Sequence, residues 1–136
     1  MSDSHDDELL RHFEDFSLPL ERFHHSLHIQ IAFLYLRAYP VLDVLARFPE
    51  ALKRYAAAHG KTGLYHETIT WAYILLIHER MNRAGQSLTW EEFASTNPDL
   101  LTWTDSILKQ YYRDETLSSE RARKIFLFPD KAPALP

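Results

Sequence analysis

The stretch from His24 to Pro40 reads HHSLHIQIAFLYLRAYP. From Ile29 to Leu36 its apolar residues (Ile29, Ile31, Ala32, Phe33, Leu34, Tyr35, Leu36) cover nearly every face of a helix, and a helix that is apolar all round belongs at the centre of a fold. Pro40 ends it, because proline lacks the backbone donor and clashes with the preceding turn. The spacing predicts a helix over Glu21 to Tyr39 whose first turns carry His24, His25, Ser26 and His28. The design recurs further on, where His66, Glu67, Thr68 and Thr70 precede the apolar run Trp71 to Ile77. Polar groups placed at the edge of such a core need partners, so these two turns are where chemistry is to be sought.

Composition supports a helical reading throughout. Twenty Leu and thirteen Ala stand against two Val and three Gly in 136 residues, which favours an all-α single domain, a helical bundle with two buried helices running parallel and short helices at its C-terminal end. With no cysteine, disulfides, thiolate zinc fingers, iron-sulfur clusters and cysteine nucleophiles are excluded. Apolar runs fall short of the roughly 20 residues of a membrane span, and no charged-then-apolar leader opens the chain, so a cytoplasmic protein without membrane contact is expected. Net charge is −4, which removes the electrostatic basis for binding nucleic acid.

The acids are unevenly placed. Seven of nineteen lie in residues 1–21, against the single base Arg11, so residues 1–20 read as an acidic arm, disordered over its first eight residues, with Leu9, Leu10, Phe13 and Phe16 available for a short helix on the body. Residues 21–136 form the helical domain. Within it, a second helix is expected over Val41 to His59, kinked or restarted at Pro49 and capped by Gly60. A third runs from Leu64 to Arg83, and Thr89 with Glu92 makes a capping box opening a short fourth. Asn97 and Pro98 begin a fifth reaching about Tyr112, and Ser119 to Phe126 make a last short one before an extended tail punctuated by Pro129, Pro133 and Pro136.

Short connections make the first helix antiparallel to the second and the second antiparallel to the third, so the first and third run parallel and their histidine-bearing ends coincide. His24 and His28 are spaced i,i+4, and His25 and His28 i,i+3; either pair can share a face. Two imidazoles from one helix, His66 from another and the Glu67 carboxylate suit a divalent metal, with iron or zinc favoured and no soft ligand to narrow the choice. The bland reading of each residue stands beside this one. A single histidine on an apolar helix is more often hydrogen-bonded in the core, Glu67 can serve the helix N-terminus, and Thr68 and Thr70 can satisfy backbone groups. Tyr35, Tyr65, Trp71 and Tyr73 read as core, Trp103, Tyr111 and Tyr112 as closing it, and His78 and Glu79 as surface or packing. No phosphate loop, nucleophile elbow, HExxH or dinucleotide fingerprint is present.

The strings FHHSLHI (Phe23 to Ile29), GLYHETIT (Gly63 to Thr70), NPDL (Asn97 to Leu100) and YYRDETLSSERARKIFLFPD (Tyr111 to Asp130) resemble a family of small, mostly uncharacterised bacterial helical proteins with F-x-H-x-x-H-[IL] and YHET-[IL]-T motifs. The resemblance places the histidine pair on His25 and His28, with His24 variable, and the second motif on His66, Glu67, Thr68 and Thr70. It implies no reaction. Together these readings give a small helical metal-binding protein, an enzyme acting on a small molecule if a coordination position is open, with His25, His28 and His66 as ligands and Glu67 as fourth ligand or general base. The alternative is a metal-free bundle in which the same histidines bind a small ligand or a partner.

Overall fold

A computed structural model describes residues 4–131. Seven α-helices carry the chain: α1 (Ser4–Glu14), α2 (His25–Ala38), α3 (Val41–Ala58), α4 (Glu67–Arg83), α5 (Trp90–Thr96), α6 (Asp114–Leu117) and α7 (Glu120–Lys124), with short 3₁₀ turns between them and no strand among the described residues. The architecture is the expected all-α bundle. α2, α3 and α4 form its centre. At one end His25 and His28 of α2 share a cavity with Ile69, Thr70 and Tyr73 of α4, and at the other Phe33, Leu36 and Arg37 border the same groove as Met81 and Asn82. The two helices therefore run parallel, as the loop lengths required.

Why α2 is central follows from its burial: Ile29 to Tyr35 contains six buried residues, with only Gln30 partly open. Helix α2 starts at His25, later than the periodicity suggests, because Leu20–Arg22 makes a separate 3₁₀ turn; His24 is consequently the flanking residue, exposed and without a capping bond. α3 runs through Pro49 without interruption. Its buried residues (Val44, Phe48, Pro49, Leu52, Tyr55, Ala56) stay on one stripe, so packing holds the turn at which proline removes a hydrogen bond. Gly60, at φ 70°, supplies the left-handed turn that ends it.

Three expectations are corrected. The short helix on the body forms, but it starts at Ser4, inside the stretch expected to be disordered; Phe13, fully buried, meets Phe23, Phe48 and Tyr55, and Glu14 accepts from the Tyr35 hydroxyl at 2.6 Å and the Leu18 carbonyl from Tyr55 at 2.8 Å. One aromatic anchor and two tyrosine bonds tie down a segment that charge alone would leave free. The part of the arm before Ser4 lies outside the described residues, as do Pro133 and Pro136 of the tail. Second, no fifth helix runs to Tyr112. Asn97 does not cap one: its Oδ1 accepts from Arg80 at 2.7 Å and its Nδ2 donates to the Phe93 carbonyl at 3.0 Å, while Arg80 also forks onto Asp99 at 3.0 and 2.7 Å. Held so against α4, the chain makes only a 3₁₀ turn, Pro98–Leu100, and another at Ile107–Gln110 capped by Ser106. Third, the last helix, α7, ends at Lys124, before Phe126, and is preceded by a further short helix, α6.

Candidate functional site

The strings singled out in the sequence meet in pairs. Nε2 of His25, at the first turn of α2, lies 2.9 Å from the Leu100 carbonyl, joining FHHSLHI to NPDL. His66, Thr68 and Gly63 join GLYHETIT to the C-terminal string. Nε2 of His66 donates to the Leu117 carbonyl (2.7 Å), the Thr68 hydroxyl donates to the Ile125 carbonyl (2.7 Å) and accepts from the Leu127 amide (3.1 Å), and Arg123 donates to the Gly63 carbonyl. Asp130 in turn accepts from the Arg113 amide and the Thr116 hydroxyl, and the Tyr112 hydroxyl reaches the Leu127 carbonyl (2.6 Å). The irregular segment after α5 is thus satisfied by side chains where regular backbone pairing is missing.

Tautomers follow from these bonds. A carbonyl only accepts, so Nε2 of both His25 and His66 carries the proton. Nδ1 of His66 then accepts from the Ile69 amide at 3.1 Å and caps α4, which leaves that imidazole no free nitrogen. His25 keeps Nδ1 unengaged. Glu67 is held by the Tyr65 hydroxyl at the edge of the bundle.

His28 is different. Its ring stacks on Phe23 and tilts against Phe48, each with centroids 5.4 Å apart, and it has no hydrogen-bond partner among the described residues. No side-chain nitrogen or oxygen that is shut off from solvent lacks a partner among the described residues, so the polar atoms of His28 keep solvent access. His28 lines a cavity of about 400 Å³ whose wall also includes His25 and His66. Burial, and then the neighbouring His25, push His28 down to about 4; burial also lowers His25 and His66. All three are neutral at physiological pH.

The cavity has an apolar and aromatic lining, with Phe23, Leu52, Tyr65, Tyr73 and Trp103 among its walls. Its size lies in the range of small-molecule sites, roughly 300–1,000 Å³. Trp103 does not close the core. It is 52% exposed and its ring lies 5.3 Å from that of His25, whereas Tyr112 is buried and Tyr111 is 39% exposed. Tyr73 is buried in the core as expected and Tyr65 packs against it, and both also line the cavity, as does Arg123, for which no local signal exists. No group of three or more His, Asp or Glu side chains among the described residues is placed to hold a metal ion. His78 lies away from the cavity beside Asn82, and Glu79 pairs with Arg83 at 3.1 Å. His12 and His59 are bound to Ser17 and to the Phe16 carbonyl.

No protein-family model, curated protein or solved structure matches the chain. Among the described residues no helix is long and apolar enough to cross a membrane.

Proposed function

We propose that this protein binds a small molecule in the cavity between the first turns of α2 and α4, with His28 as its principal hydrogen-bonding group. One observation carries the reading: the imidazole of His28, packed against two phenyl rings and without a hydrogen-bond partner among the described residues, lines a largely apolar cavity. Small-molecule sites are built in this way, with apolar walls and a few fixed polar groups. The strings that resemble the bacterial family supply the walls, Phe23, His25 and His28 from one and Leu64, Tyr65, His66, Ile69 and Thr70 from another, which supports a ligand site as what those strings have in common.

The test uses 2-naphthol, an apolar body with one hydroxyl. Saturable binding, read from Trp103 fluorescence and from imidazole resonances, is expected at the cavity. His28→Phe, which preserves both ring contacts, should weaken it about tenfold, the worth of one good hydrogen bond. Absence of saturable binding, or equal affinity in the variant, would overturn the reading.

A second reading keeps a metal, iron or zinc, on His25, His28, His66 and Glu67. It is favoured by the unengaged Nδ1 of His25 and the free ring of His28 on one cavity wall. It also requires His66 to give up either the α4 cap or the Leu117 carbonyl, and Glu67, which does not line the cavity, to turn toward it. In protein purified without a histidine tag, stoichiometric metal lost in His25→Ala, His28→Ala and His66→Ala but kept in His24→Ala would put the metal in place of the metal-free site.

A further inference from the structure

Among the described residues lining the cavity, Arg123 alone carries a full charge, because the three imidazoles there are held neutral and no described Asp or Glu lines it. Arg123 is half-buried at the wall beside Tyr65 and His66. It gives one N–H to the Gly63 carbonyl and has no carboxylate within ion-pair distance among the described residues. The other half-buried arginine among the described residues, Arg80, is matched: it forks onto Asp99 at 3.0 and 2.7 Å. This is the more telling because the chain as a whole carries an excess of acids.

An unmatched guanidinium next to apolar walls is costly, and its remaining donors form a planar fork of the kind that meets a carboxylate. α2 and α4, of 14 and 17 residues, both begin at this end, so their partial positive charges add to the same field. We propose that the ligand of the cavity is a carboxylate with an apolar, aromatic-sized body, its charge paired with Arg123 and its body lying among Phe23, Tyr73 and Trp103. This rests on the cavity being a ligand site, and it adds the ligand's charge and the residue that selects it.

The experiment compares 2-naphthoate with 2-naphthamide, which share a body and differ in charge, on the intact protein. The expected result is at least tenfold tighter binding of the naphthoate, with the preference abolished in Arg123→Gln while affinity for the amide is retained. Equal affinity of the two probes for the wild-type protein would overturn the carboxylate assignment and leave the ligand site standing. Saturable binding of neither would overturn both. The wild-type comparison needs no variant, so the outcome does not depend on how Arg123→Gln folds. Should the variant fold, as read by an unchanged helical circular dichroism signal, and keep the naphthoate preference, Arg123 is not the selecting residue and the proposal fails.

Discussion

At the residue scale, the three histidines on the cavity wall do three different things. His66 is a cap and a cross-brace, His25 a brace with one nitrogen to spare, and His28 an unbonded ring between two phenyls. Their substitutions should therefore separate. His66→Ala removes the acceptor for the Ile69 amide and the donor to the Leu117 carbonyl, and we expect a loss of about 1–3 kcal/mol in chemical denaturation. His66→Asn, which can still cap, should recover part of it. His24→Ala, at an exposed position with no bond from its side chain, should change stability by less than about 0.5 kcal/mol. A large effect at His24 with none at His66 would contradict the bonding described.

At the scale of elements, the N-terminal turn of α4 is the seat on which the C-terminal segment docks. Thr68 is fully buried and serves Ile125 and Leu127 together, so Thr68→Val keeps its shape and strands a carbonyl and an amide. Ile125 is exposed and Leu127 half-buried, so water can replace part of what is lost, and each bond is worth about 0.5–1.5 kcal/mol. Limited proteolysis should then cut within 125–128 in the variant, well before global unfolding; protection equal to wild type would show that the seat is held by other contacts. Gly60 makes a simpler case. A Cβ there meets nothing within 4 Å, so Gly60→Ala carries only the penalty of a left-handed backbone, about 1 kcal/mol, seen as a small drop in melting temperature.

For the whole molecule, acid is the natural destabiliser. Burial depresses His28 to about 4 from about 6.5, and His25 and His66 move the same way, so on acidification the unfolded chain takes up protons that the folded chain refuses. Stability is complete above the ordinary imidazole range and is lost as pH falls toward 4, with His28 alone contributing a slope of about 1.4 kcal/mol per pH unit. Denaturation midpoints at pH 7, 5.5 and 4.5 should fall in that order. His28→Phe should flatten the trend, and identical slopes in both proteins would refute the assignment. Below this range Asp99, lowered chiefly by Arg80, loses its ion pair and adds a further fall.

Periodicity, proline and capping chemistry determined the all-α class, the central place of α2, the capping box at Thr89 and the parallel run of α2 and α4, because each depends on neighbours a few residues apart. The same local signals also marked His25, His28 and His66 as belonging to one end of the bundle. What they could not supply were partners 17 to 75 residues away: the Leu117 carbonyl that accepts from His66, the Leu100 carbonyl that accepts from His25, and Arg80, which turns Asn97 from a helix cap into an anchor. Nor could they bring Arg123 and Trp103 to the cavity, since nothing in the residues around either says which wall it will meet. Only the packed structure decides which ring nitrogens are already bonded and which face open space, because that depends on where irregular chain is laid against helix ends, and the irregular chain after Thr96 has no period to read.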